Sequence, residues 1–327
     1  MKSRIIEALK EHAHTFISGE DLSQKLGVSR TAVWKVIKQL KAEGYHIESV
    51  SRKGYRLISE GDTLNAEALG VELKNSGLIK DIKHFESIDS TNTYAKEAAS
   101  KGASEGTLII SDEQVMGRGR LGRTWTSPKG TGIWMSLVLR PDIEPVHAAK
   151  MTQIAAAAMN EAIVQTTGLA AGIKWPNDII VNKKKVCGIL TEMSAELNTV
   201  NYVVVGIGVN VNVEAFPEEL CEKATSLKIE SGQTIKRKDV VVEFAHQFES
   251  FYKAYINEGN LQRTLSYCRE HSVTIGQQVR VIHKNETLYG EAIDLNQDGE
   301  LLVKFENGEV KPVFYGEVSV RGLTDYI

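Results

Sequence analysis

Gly117-Arg118-Gly119-Arg120-Leu121-Gly122-Arg123-Thr124-Trp125 sets three arginines among three glycines, in a chain of 327 residues with net charge −3. Residues 117–122 match G-x-G-x-x-G, which implies a dinucleotide-binding α/β fold only where the turn opens a helix. The residues that follow, Thr126-Ser127-Pro128-Lys129-Gly130-Thr131-Gly132, are too rich in Pro and Gly for a helix. No GxxxxGK(S/T) phosphate loop occurs. The segment is therefore an arginine loop between strands expected at Thr107–Ser111 and Ile133–Leu139. Clustered like charges repel, and glycines lose backbone entropy on folding. A loop that carries both costs suits closure over an anion, with glycine amides assisting.

Upstream, residues 2–11 place Ile5, Ile6 and Leu9 at helical spacing. Ser18 and Asp21 form a capping-box pattern for a second helix that stops at Gly27. Ser29 opens a third, Arg30 to Glu43, with Val33, Ile37 and Leu40 on one face. Short strands at Tyr45–Val50 and Gly54–Ile58 flank Ser51-Arg52-Lys53. Three helices and a hairpin make a winged helix-turn-helix. Its recognition helix offers Ser29, Arg30, Thr31, Lys35 and Lys38 to base edges, and the hairpin offers Arg52, Lys53 and Arg56 to phosphates. Trp34 is expected to pack. A protein-binding winged helix is the alternative. Residues 1–63 hold 11 Lys and Arg against 8 Asp and Glu, a net +3 that leaves −6 for residues 64–327. That asymmetry places the nucleic-acid face at the N-terminal end.

A polar connector, Leu57 to Thr63, marks the first boundary, and Thr63 to Lys74 reads as helical. From Ile82 a larger α+β domain mixes strands (Ile179–Val181, Val186–Glu192, Tyr202–Val211) with helices (Asn92–Ser100, His147–Thr166, Lys238–Asn257). In the last helix Val241, Phe244, Phe248, Phe251 and Tyr255 recur at core spacing. After His271, short strands separated by Asp298-Gly299 and Asn307-Gly308 turns predict a small barrel. The expected domains are 1–62, 63–270 and 271–327.

Composition is that of a soluble globular protein, 42% hydrophobic and 25% charged. Cys187, Cys221 and Cys268 are widely spaced and form no CxxC pair, so neither a disulfide framework nor a zinc site is expected. No metal site is expected from the histidine spacing either. No apolar run reaches membrane-spanning length, and Glu7 and Lys10 break the N-terminal run. A cytoplasmic protein without membrane partners is expected.

Three further segments have bland readings when taken singly. Lys174-Trp175-Pro176-Asn177-Asp178 reads as a structural turn, Lys185 as a strand-end charge before Val186-Cys187-Gly188-Ile189-Leu190, and Asp89-Ser90-Thr91-Asn92 as a helix cap. In their order and spacing, however, DSTN at 89–92, GRGRLGRTW at 117–125, KWPND at 174–178 and KVCGILTE at 185–192 resemble the biotin–protein ligases. With the winged helix-turn-helix, Gly206–Asn212 and a C-terminal segment ending Gly316–Gly322, the resemblance is to the bifunctional bacterial type that also represses biotin-synthesis genes. Cys187 is a departure, standing where a small residue such as Gly is common.

The resemblance implies a winged helix-turn-helix, a mixed-sheet ligase domain and an SH3-like C-terminal barrel. It implies joining of biotin to ATP, with Mg²⁺, to form biotinyl-5′-AMP, and transfer to a lysine of a biotin carrier domain. That domain is typically from acetyl-CoA carboxylase, or from other biotin-dependent carboxylases. Family roles fall on Ser90, Thr91, Asn92 and Gln114 near the biotin head group, and on Arg118, Gly119 and Arg120 in the covering loop. Lys185 falls at the carboxylate and α-phosphate, and Asp178 is a candidate to orient or deprotonate the acceptor lysine. No permanently bound cofactor is implied. The adenylate-bound form would dimerise and bind biotin operator DNA. A ligand-sensing repressor without ligation, or a lipoyl-type ligase, are the competing readings. Residues 214–225 are expected as a moving loop.

Overall fold

The computed structural model describes residues 1–13, 15–283, 286–314 and 318–322. Residues 1–75 with 236–238 form one compact unit, and 76–235 with 239–327 form the other.

In the first unit, helices α1 (Lys2–Glu11), α2 (Gly19–Leu26) and α3 (Arg30–Ala42) precede a hairpin of β1 (His46–Val50) and β2 (Gly54–Ser59). Ser18 Oγ accepts the Asp21 N–H at 3.0 Å and donates to its carboxylate at 2.7 Å, while Gly27 ends α2 in the left-handed region. Ser29 Oγ accepts the Ala32 N–H and starts α3. Each helix buries one stripe: Ile5 and Leu9, Leu22, then Val33, Ile37 and Leu40 meet in one core. The hairpin is pinned by a strand bridge between Ile17 and Tyr55. Gly54 has φ +106°, and a Cβ there would sit 2.1 Å from the Ile17 carbonyl, so glycine is required.

The sequence reading ended this domain at residue 62, but the compact unit runs to Asn75. Helix α4 (Ala66–Glu72) adds Ala68 and Val71 to the same core. Buried Arg237 donates from Nε to Asp62 at 2.7 Å, and Lys238 pairs with Glu60 and Glu72. These ion pairs bring 236–238 into the unit.

The second unit is built on a seven-stranded mixed sheet, order β3-β4-β5-β9-β8-β7-β6. Its strands are β3 (Asp81–Phe85), β4 (Thr107–Ser111), β5 (Gly132–Leu139), β6 (Gly172–Lys174), β7 (Asp178–Val181), β8 (Lys184–Glu196) and β9 (Thr199–Asn210). Only β3–β4 is parallel among these pairings. Helix α5 (Thr91–Ser100) packs Ala95 and Ala99 on Ile109, Val138 and Val204 of one sheet face. Helix α6 (Lys150–Thr167) is buried on nearly every side, which its alanines permit. Short α7 (Leu227–Ser231) and long α8 (Arg237–Glu258) follow. The aromatics of α8 are buried, as their spacing predicts. Helix α9 (Gln262–Glu270) and strands β3 and β6 were not foreseen.

The expected C-terminal barrel is a five-stranded antiparallel sheet, order β13-β12-β11-β10-β14. It comprises β10 (Gln278–His283), β11 (Glu286–Leu295), β12 (Leu301–Phe305), β13 (Val310–Val313) and β14 (Val318–Gly322). Tyr315, Gly316 and Glu317, read from sequence as part of this module, lie outside the described residues. The turn at Asp298-Gly299 docks on α6 and on Trp175 beside β6. The Gly299 carbonyl accepts from Trp175 Nε1 at 2.9 Å and Gln153 Nε2 at 3.2 Å, and Lys150 pairs with Asp298 at 2.9 Å.

Candidate active site

The site begins where glycines interrupt the side chains of one sheet face. Gly208 pairs with Trp134 on one side and Gly188 on the other; Gly206 pairs with Ser136 and Leu190. Cross-strand partners point to the same face. The face that packs on α5 through Val138 and Val204 therefore continues as a glycine floor at 188, 206 and 208, edged by Trp134, Ser136 and Leu190. Larger groups lie directly on that floor. A Cβ on Gly206 would sit 1.9 Å from Asn92 Oδ1, one on Gly208 2.6 Å from Trp125 Nε1, and one on Gly188 2.9 Å from Lys185 Nζ. Alternating glycines in an apolar strand mark a close approach of this kind.

At one end, Thr91, Asn92 and Gln114 form a hydrogen-bonded set. Thr91 donates its N–H and hydroxyl to Gln114 Oε1 at 2.9 and 3.0 Å, and Gln114 Nε2 donates to Ser127 Oγ at 2.9 Å. Ser136 Oγ donates to Asn92 Oδ1 at 2.6 Å and lies 2.8 Å from Thr91 Oγ1. Asn92 Nδ2 donates to Glu192 at 2.9 Å, and Lys96 pairs with Glu192 at 2.6 Å. Burial raises the Glu192 pKa, but Lys96 and Asn92 outweigh it, aided by the Arg118 charge, and the net shift is downward. The helix-cap reading of Asp89–Asn92 fails. Ser90 stands at the N-cap of α5 without a side-chain cap bond, and Ser90, Thr91 and Asn92 are all buried.

At the other end the cations gather. Lys185 Nζ is 2.5 Å from Asp178 Oδ1 and 5.1 Å from the centroid of the Trp125 ring. Arg120 donates to Asn177 Oδ1 at 2.8 Å, while Asn177 Nδ2 donates to the Ile189 carbonyl. The loop closes on itself through Gly119 N–H to Arg123 O at 2.7 Å and Trp125 N–H to Gly117 O at 2.9 Å. Arg118 and Arg123 are exposed and Arg120 half-buried. The arginine loop and Lys185 thus meet over one floor. The indole Nε1 of Trp125, buried there, has no hydrogen-bond partner among the described residues.

Lys174, quoted within the 174–178 segment, was given no role of its own from sequence. It is buried beside Asp178 in the β6–β7 register. Burial is the main cause of its pKa falling to about 8; the Asp178 carboxylate opposes this, and the charges of Lys185, Arg321 and Arg123 add to it. Asn177, Ser136 and Glu192 were likewise unassigned. Cys187 is fully buried, and burial pushes its thiol pKa up, so it is unreactive. Of the segment read as a moving loop, the end brackets the Lys185 backbone: Lys185 N–H donates to Lys223 O at 2.9 Å, and Thr225 N–H donates to Lys185 O at 3.0 Å. Among the described residues, no three His, Cys, Asp or Glu side chains converge on a metal-sized site.

In the first unit, Ser29, Arg30, Thr31, Lys35 and Lys38 are all exposed on α3, and Arg52 and Lys53 are exposed at the hairpin tip. Arg56 pairs with Glu48 at 2.5 Å and lies over the Phe16 ring. Trp34 does not pack: it is 53% exposed, on the basic face of α3.

A glycine-floored, cation-rimmed cradle on a mixed sheet, in a chain with a winged helix-turn-helix, defines a ligase domain coupled to a DNA-binding module. The chain matches the biotin/lipoate A/B protein ligase family over residues 84–210, an HTH domain over 2–56 and the biotin protein ligase C-terminal domain over 274–321. It is 40% identical over 322 residues to the bifunctional ligase/repressor BirA of Bacillus spizizenii, covering 98% of each chain. It is 28% identical to the Escherichia coli bifunctional ligase/repressor BirA, covering 94% of this chain and 93% of that one. The solved biotin protein ligase of Aquifex aeolicus in complex with biotin and ATP superposes with a TM-score of 0.65 at 28% identity, covering 75% of this chain and all of the other. The chain belongs to the biotin–protein ligase family, in its bifunctional ligase/repressor branch.

Proposed function

We propose that this protein joins biotin to ATP, transfers the biotin to a carrier-protein lysine, and represses biotin-synthesis genes when adenylate-bound. In the first step a biotin carboxylate oxygen attacks the α-phosphorus, the bond to pyrophosphate breaks, and biotinyl-5′-AMP forms. In the second the acceptor amine attacks the acyl carbon, an amide forms, and AMP and one proton leave.

The supporting observation is the convergence of Lys185, Asp178 and Arg120 over the glycine floor, joined to the Thr91–Asn92–Gln114 set. The chemical difficulty is anion meeting anion, so preorganised cations are the main requirement. Two unit charges 4 Å apart interact by about 1 kcal/mol in water and about 4 kcal/mol at an effective dielectric near 20. A loop that excludes water therefore multiplies the effect of each cation several-fold and protects the mixed anhydride from hydrolysis.

Ser90, Thr91, Asn92 and Gln114 take the biotin head group, with Arg118, Gly119 and Arg120 covering it. Lys185 reaches the carboxylate and α-phosphate. Asp178, paired with Lys185, orients or deprotonates the acceptor amine. Mg²⁺ carried in by ATP would supply the positive charge that offsets the departing pyrophosphate. The chain's carboxylates at this site are engaged by lysines, which fits a metal carried by the nucleotide.

The acceptor is the biotin carrier domain of acetyl-CoA carboxylase or of related carboxylases. A DNA-binding module within residues 1–75, a ligase module after it and a C-terminal module from 271, a cytoplasmic location, and an adenylate-bound homodimer on biotin operator DNA complete the reading. No helix among the described residues is long and apolar enough to cross a membrane. Linkage requires adenylate and DNA to strengthen each other's binding equally. Incubation with ATP, Mg²⁺ and biotin should yield biotinyl-AMP by mass spectrometry. Absence of that mass from active-site-saturated protein would refute the ligase reading.

A further inference from the structure

Helix α3 has two faces. Val33, Val36, Ile37 and Leu40 fill the core, while Arg30, Thr31, Lys35 and Lys38 stand in solvent. Trp34 belongs by position to the second set and is 53% exposed. An indole left half in water forgoes the burial its large apolar area offers, so its place on a polar face asks for a partner. Lys38 Nζ, one turn along, sits 5.6 Å from the indole centroid, within cation–π range. That contact leaves over half of the residue in solvent.

Base edges in the major groove offer hydrogen-bonding groups and one apolar feature, the thymine C5-methyl. The surrounding basic residues make duplex DNA the electrostatically complementary occupant. We propose that Trp34 is a specificity-determining residue that packs its indole on a thymine C5-methyl of the bound duplex, with Lys38 directed at a neighbouring phosphate. This rests on the DNA-binding reading of α3.

The test selects duplexes from a random-sequence library with the full-length protein plus biotin, ATP and Mg²⁺. The selected duplex is then resynthesised with deoxyuridine at each thymine in turn. One thymine per half-site should cost the native protein about fourfold in affinity when its methyl is removed. Trp34→Ala should bind about tenfold more weakly or worse, and should no longer distinguish thymine from deoxyuridine at that position. Trp34→Phe should keep part of the discrimination. Lys38→Ala should weaken every duplex alike and lower the salt slope by about one. Equal binding of thymine and deoxyuridine duplexes by the native protein, or discrimination retained in Trp34→Ala, would overturn the assignment. A markedly lower melting temperature in Trp34→Ala would make it a packing residue and overturn it too. Failure to select any sequence would instead remove the DNA-binding reading itself.

Discussion

Lys174 is held at a cost that can be measured. Its pKa falls from the usual 10.5 to about 8 because it is buried, and Asp178 only partly offsets that burial. Between those two values the unfolded chain binds a proton that the folded chain does not. Stability therefore rises with pH through this window and is reduced below it. At 1.36 kcal/mol per pH unit, the penalty at neutral pH is about 3 kcal/mol. Lys174→Met removes the charge and retains most of the apolar stem. It should raise the melting temperature of the ligase unit at pH 7 by roughly 6–12 °C, taking 2–4 °C per kcal/mol for a unit of this size. The gap between variant and native protein should close as pH rises from 8 to 10.5. Other groups titrate over the same range but are common to both proteins, so the difference reads Lys174 alone. Adenylation should fall on the order of tenfold, because a cation is lost beside Asp178 and Lys185. Parallel stability curves for the two proteins from pH 7 to 10.5 would show that Lys174 carries no burial penalty. The charge would then have to be solvated.

Lys185→Ala should lower biotin-dependent pyrophosphate exchange on the order of 10²–10³-fold, and a near-native rate would remove Lys185 from the chemistry. Gly206→Ala drives a Cβ against Asn92, whose bonds to Ser136, Leu190 O and Glu192 must then break. At about 1 kcal/mol net per bond, biotin affinity by calorimetry should drop well over tenfold, and unchanged affinity would contradict the proposed floor. Lys53→Ala at the exposed hairpin tip should weaken DNA binding uniformly across sequences and reduce the salt slope by about one; sequence-selective loss would place it on a base instead.

Much of the architecture was legible in local pattern. Apolar spacing at Ile5, Leu9, Val33, Ile37 and Leu40 located the helices of the winged helix-turn-helix, and Ser18, Ser29 and Gly27 act at helix ends as their chemistry dictates. Pro and Gly after Arg123 ruled out a Rossmann helix, and strand β4 falls on Thr107–Ser111 as read. These signals act over a few residues of chain, where the sequence is the geometry. The contents of the cradle obey no such rule. Arg120 meets Asn177 across 57 residues and Asn92 meets Glu192 across 100, and nothing in the spacing of either pair announces the contact. Asp89–Asn92 read as a cap because that rule is local, yet the sheet opposite turned its side chains inward. Trp34 read as packing because large aromatics usually are; folding instead gave the core to Val33 and Ile37 and left the indole in water. Helical phase decides which residues share a face, but only the assembled layers decide which face is covered. The lowered pKa of Lys174 has the same origin, since burial is a property of everything around a residue and of none of its neighbours in the chain.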